Sequence, residues 1–165
     1  MKYTSAQAAK ELRRLADQHR DLLSQEYMAK EFSACMGEDV EAVRPAYNYA
    51  ATQAELAALE QRIRRLKHAL NLFNTTTEVP GFAMTVDEML VYLPQLSAHK
   101  NKLSRMKAVL PKTRAGTPVG NYPDYRYANY DIDAVAAEYE AVAQEVAAAQ
   151  SALDLLNNTA TFEVE

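Results

Sequence analysis

Three histidines and one cysteine are the side chains best suited to hold a metal or attack a substrate, and their spacing supports neither chemistry. His19, His68 and His99 fall on three different predicted helices. None has the H-E-x-x-H or E-x-x-H spacing that sets two ligands on one helical face. Cys35 follows Glu31 by one turn and has no basic run beside it, the reverse of the electropositive setting that activates a thiol. The phosphate-cradling patterns G-x-x-x-x-G-K-[ST] and G-x-G-x-x-G are absent, as is the nucleophile elbow G-x-S-x-G, and Gly37, Gly81, Gly116 and Gly120 all sit at inferred turns. Among the carboxylates, Asp131 or Asp133 reads as a helix cap, while Glu138 and Glu140, two residues apart, cannot share a face. No catalytic, cofactor-binding or metal-ligating residue is assigned, and an enzyme would need a site assembled between helices from distant positions.

Charge is the most informative polar feature. The chain carries a formal net charge of −4, which disfavours a polyanion binder as a whole. Locally the balance reverses: from Met89 to Pro123 there is no acid, and Lys100, Lys102, Arg105, Lys107, Lys112 and Arg114 form a basic segment over about 98–114. From Asp124 onward nine acids face only Arg126. A second cluster, Arg62, Arg64, Arg65 and Lys67, lies on the second long helix. The structural expectation is that the acidic last helix lies beside these cations. The functional alternative is an anion-binding face for nucleic acid or anionic lipid, with Tyr125 and Tyr127 as stacking candidates.

These residues are carried by four predicted long helices. Thr4-x-x-Gln7, Thr52-x-x-Glu55 and Thr85-x-x-Glu88 read as capping boxes, each satisfying two orphan backbone donors at a helix start. The first helix covers about 5–35, with Leu12, Leu15, His19, Leu22, Leu23 and Tyr27 inward and Gly37 as its stop. The second carries a seam of three- and four-residue steps through Leu56, Leu59, Ile63, Leu66, Leu70 and Phe73, and the last repeats it through Val135, Tyr139, Val142, Val146, Ala149, Leu153 and Leu156. The third runs from Thr85 to about Leu110 with Leu90 and Leu110 inward, and Pro94 predicts a kink or restart near Val91. Between the last two, the Pro-, Gly- and Tyr-rich stretch 111–127 reads as a loop or hairpin whose tyrosines pack over a helix.

A shift of 83 positions superimposes the two seams, Tyr47 on Tyr130 and Asn74 on Asn157, which predicts an internal repeat of 47–79 and 130–164. Asn74 and Asn157 then suit left-handed helix caps. The Thr-rich tails after them, and AYNYA and RYANYDI before the helices, favour extended chain. From Leu56 to Val164, LNLFNTTTEV, TVDEML, YRYANYDIDAVAAEY and LDLLNNTATFEV together resemble an uncharacterised bacterial family of long helical-hairpin proteins. The resemblance implies an antiparallel helical assembly with small strand pieces and no activity.

With 48% apolar residues, 4 Gly and no Trp in 165 residues, the chain fits a single, mainly α domain of antiparallel, coiled-coil-like helical hairpins. A lone cysteine and the lack of a secretory leader or an 18-residue apolar run point to the cytoplasm. The expected role is a non-enzymatic oligomerisation scaffold or interaction module. Leu59, Ile63, Leu66, Leu70, Val142, Val146 and Leu153 are its packing positions, with a second copy as the partner.

Overall fold

The computed structural model describes residues 1–116 and 124–164, so Gly120 and the centre of the tyrosine-rich stretch lie outside the described residues. In chain order the elements are strand β1 (Lys2–Thr4), helix α1 (Ser5–Ala29), short α2 (Val40–Val43), α3 (Tyr49–Thr76), α4 (Val86–Lys107), strands β2 (Lys112–Arg114) and β3 (Tyr125–Tyr127), α5 (Ile132–Thr159) and β4 (Thr161–Glu163). The fold is mainly helical with short antiparallel strands near the loops and the C-terminus, as the composition and periodicity imply. Two compact units are present, one from Met1–Asn74 with the stretch from Asn157, the other Thr75–Leu156.

In the first unit α1 and α3 form an antiparallel hairpin, since Glu11 meets Arg62, His19 meets Glu60 and Glu26 meets Gln53, the numbers running oppositely. Ala8, Leu15, Leu59 and Leu66 are its buried core, with Ile63 and Leu70 packed against them. β1 and β4 pair antiparallel with Tyr3 opposite Phe162, and the Phe162 ring lies 5.1 Å from that of Phe73. The second unit repeats the arrangement with α4 and α5: Tyr92 donates to Glu145, and His99 meets Glu138. Its core is Leu96, Leu103, Val135 and Val142, with Tyr139 and Val146 against it. A tight turn at Gly81 (φ +83°) lets Val79 N–H donate to Met84 O and Val86 N–H donate to Thr77 O, the extended chain expected after the Thr-rich helix end.

Capping explains where the helices start. Thr4 with Gln7 and Thr85 with Glu88 form the boxes read from the sequence, but α3 opens at Asn48 rather than Thr52. The Asn48 Oδ1 accepts from Ala51 N–H at 3.1 Å, an equally good cap placed earlier, so Tyr47 is loop and Tyr49 helix instead of strand. Asp131 caps α5, accepting from Asp133 and Ala134 N–H. Asn74 and Asn157 are not left-handed caps: no non-glycine described residue has positive φ, and both helices run two residues further.

Helix α1 stops at Lys30, short of the expected 35, and the chain turns at Cys35–Glu38 around Gly37 (φ +90°) before α2, whose cap is Asp39. Leu23 and Tyr27 are therefore exposed near the end of α1 rather than inward. Helix α4 is continuous through Pro94. Pro94 and Leu90 lie on the exposed side, where the Leu90 carbonyl left without its i+4 donor can be solvated, so no restart at Val91 is needed. Leu90 is 49% exposed because Met89 and Leu93 occupy the inward face, and Leu110 lies beyond the helix in the open.

Candidate functional site

The seam residues are used inside the hairpins. Leu59 and Leu66 are buried against α1 and Val142 against α4, Ile63, Leu70 and Val146 flank those cores, and Leu153 is buried on α5. Burial of this kind accounts for the folding of each hairpin and leaves those faces filled.

Part of the apolar surface that the hairpins leave uncovered lies at their tips. At the α1–α2–α3 tip of the first unit Tyr27, Met28, Met36, Val40 and Tyr49 are exposed, Met36 fully. No periodicity marks this stretch, which is why a helix-seam reading passes over it; its signal is three apolar side chains, Phe32, Cys35 and Met36, just ahead of a glycine turn. Glu26, Glu31, Glu38, Asp39 and Glu41 outnumber Lys30 and Arg44 here, so the tip is acidic as well as apolar. Its base is tied down by Glu26, which accepts from Tyr47 Oη at 2.7 Å and Gln53 Nε2 at 2.6 Å. The hydrogen bond to that carboxylate, with burial adding to it, pushes the Tyr47 phenol up to about 12. The Cys35 thiol is exposed, and its backbone N–H donates to Glu38 Oε2.

The tip of the second unit is a two-stranded ribbon, with Thr113 opposite Arg126. Tyr125 and Tyr127 are exposed, Tyr127 to 64%, rather than packed over a helix, and the Lys112 ammonium lies over both rings at 4.1 and 5.4 Å. A groove of about 390 Å³ is bounded by Val109, Leu110, Thr113, Arg126 and Tyr127.

The six candidate anion-binding residues do not converge. Lys107 pairs with Glu140 at 3.5 Å and stacks on the Tyr139 ring at 3.4 Å, whereas Lys112 covers the tyrosines. At 3.6 residues per turn Lys100 and Lys107 share one side of α4, while Lys102 and Arg105 lie roughly opposite. Arg114 is on the ribbon. Lys107–Glu140 and the imidazole contact His99–Glu138 at 3.2 Å join the acidic last helix to the basic segment. Arg62 pairs with Glu11 of α1.

His19 sits 3.3 Å from Glu60, and His68 is exposed. Among the described residues no three His, Cys, Asp or Glu side chains gather as a metal site would require. No described helix is long and apolar enough to cross a membrane.

Together these features define a class, a mainly α protein of two antiparallel helical hairpins, each closed by a short ribbon. No family model matches the chain, and no curated protein matches it. A solved structure does: the crystal structure of a functionally unknown conserved protein from Corynebacterium diphtheriae, at 18% sequence identity and a TM-score of 0.60, covering 99% of this chain and 100% of that one. At that identity the likeness establishes the fold alone.

Proposed function

We infer that this protein works by contact, as a non-enzymatic helical interaction module that self-associates tip to tip. One copy's acidic α1–α2–α3 tip seats on the basic, aromatic ribbon of another copy's second unit. The observation that carries this reading is the fully exposed Met36 on a tip whose flanks are acidic. The seam residues support it from the other side, because their faces are already filled within each hairpin. The opposite charge of the two tips supports one register: Lys112, Arg114 and Arg126 are on the ribbon strands, with Asp124 next to Tyr125 in sequence, and Arg126 lines the groove. Methionine suits such a contact, since its flexible thioether adapts to an irregular apolar groove. Reversing Lys112 and Arg126 to Glu should abolish association, and reversing Asp39 and Glu41 to Lys in the same chain should restore it. Unchanged association in the first variant would overturn the reading.

Internal duplication is part of the same proposal. Helices α3 and α5 are both 28 residues long and begin and end 83 residues apart. The same offset relates buried Leu59, Leu66 and Phe73 to Val142, Ala149 and Leu156. Each unit also opens its first helix with a capping box. The exposed lone thiol of Cys35 supports a reducing, cytoplasmic setting.

A further inference from the structure

At the end of the first hairpin away from its tip, a cleft of about 310 Å³ opens between α1, α3 and the terminal ribbon. That volume is at the lower end of the range for small-molecule sites. Its floor is apolar: Leu15, only 1% exposed, Leu66, and Val164, with the Tyr3 ring alongside. Arg62, Arg65 and Glu11 stand at its rim.

The rim carries more positive charge than it needs. Glu11 is held by Arg14 through two bonds of 2.8 and 2.7 Å, with Arg62 at 3.5 Å. These contacts, the Arg14 hydrogen bonds above all, keep its carboxyl below the usual range despite some burial. Arg65 has no hydrogen bond or ion pair among the described residues, and the Met1 ammonium, which donates to Val164 O at 3.0 Å, adds a further charge. The cleft lining thus holds two guanidinium groups, Arg62 and Arg65, against one carboxylate, Glu11, which Arg14 already engages, in a chain whose net charge is −4. At the positions that the 83-residue offset relates to Arg62 and Arg65, the second hairpin carries Glu145, which accepts from Tyr92, and Ala148, so this pair of cations is not repeated there.

An apolar floor with an unmatched planar cation at its mouth recognises a ligand with a greasy body and an anionic end. A carboxylate matches the fork of a guanidinium, and the body covers the part-exposed Tyr3 and Val164 above buried Leu15 and Leu66. We propose that this cleft is a binding site for a medium-chain or aryl carboxylate, with Arg65 and Arg62 taking the carboxylate and Leu15, Leu66, Val164 and Tyr3 taking the apolar body. The proposal does not depend on self-association, since no residue of either tip lines the cleft.

Isothermal titration of the full chain with sodium octanoate below its micelle concentration tests it, with octanol, acetate and inorganic phosphate as comparisons. Octanoate should bind at least about tenfold more tightly than any of the three, because each of them lacks either the charge or the body. Arg65→Ala should weaken octanoate at least about tenfold, with Arg65→Lys intermediate, and amide resonances of Tyr3, Leu66 and Val164 should shift on binding. Arg65 is exposed, so the variant folds. Octanoate binding no tighter than octanol or acetate, affinity unchanged in Arg65→Ala, or shifts confined to other residues would each overturn the assignment. Phosphate binding as tightly as octanoate would also overturn it, showing a bare anion site.

Discussion

Replacing Leu103 with Ala separates the two kinds of apolar residue in this protein. Leu103 is 2% exposed and packs with Leu96, Val135 and Val142 in the α4–α5 core. The substitution removes three buried carbons, a transfer loss of roughly 2.4 kcal/mol at about 0.8 kcal/mol each. The cavity left behind raises the cost to about 3–4 kcal/mol, within the range of buried Leu→Ala changes. For a chain of this size that lowers Tm by roughly 6–15 °C. Thermal unfolding followed by circular dichroism reads the shift, and sedimentation of the folded variant should show association as in the parent chain. Met36→Asp is the counterpart: its side chain touches no core, so stability should stay within about 0.5 kcal/mol while association is lost. A loss below about 1 kcal/mol for Leu103→Ala, or an equal loss for Met36→Asp, would refute the division of seam from tip.

Thr85→Ala should cost about 1 kcal/mol by removing the N-terminal cap of α4, measured by urea unfolding. Glu88 is held below the ordinary carboxylate range by the Thr85 backbone N–H, then by its hydroxyl. A depressed folded pKa gives stability that is present above the unfolded value and is lost as pH falls through the folded one, so Glu88→Gln should flatten the acid limb of unfolding. Tyr47 is the opposite case: raised to about 12, it favours folding below pH 10 and loses that contribution between 10 and 12. Tyr92 is raised as well, by its hydrogen bond to Glu145, so ultraviolet titration should find late-ionising phenols of which one, Tyr47, moves down in Glu26→Gln. Ser5 Oγ is buried with no hydrogen-bond partner among the described residues, so Ser5→Ala should stabilise α1 by about 1 kcal/mol, and a destabilised variant would show that the hydroxyl is satisfied.

Periodicity located the hairpin cores because burial on one helical face leaves a three- and four-residue signature in the spacing of apolar residues. Leu59, Leu66, Val142 and Leu153 were legible for that reason, and two capping boxes were legible because their chemistry is local. Asn48 outcompeting Thr52 was not, since both are good caps and only the path of the chain after Pro45 decides. The tip and the cleft were harder. Met36 draws its meaning from being left uncovered, and Arg65 from an apolar floor contributed by residues 15, 66 and 164, distances that no sequence window spans.

The most direct test of contact through the tips is the mass of the full chain in solution, followed over concentration at low and high salt. Species heavier than the 18.4 kDa monomer should appear and grow with concentration at low salt. Added salt should shift them toward the monomer, because the steering charges are exposed and screened within about 10 Å at 0.1 M. A mass of 18.4 kDa at every concentration and both salts would contradict it.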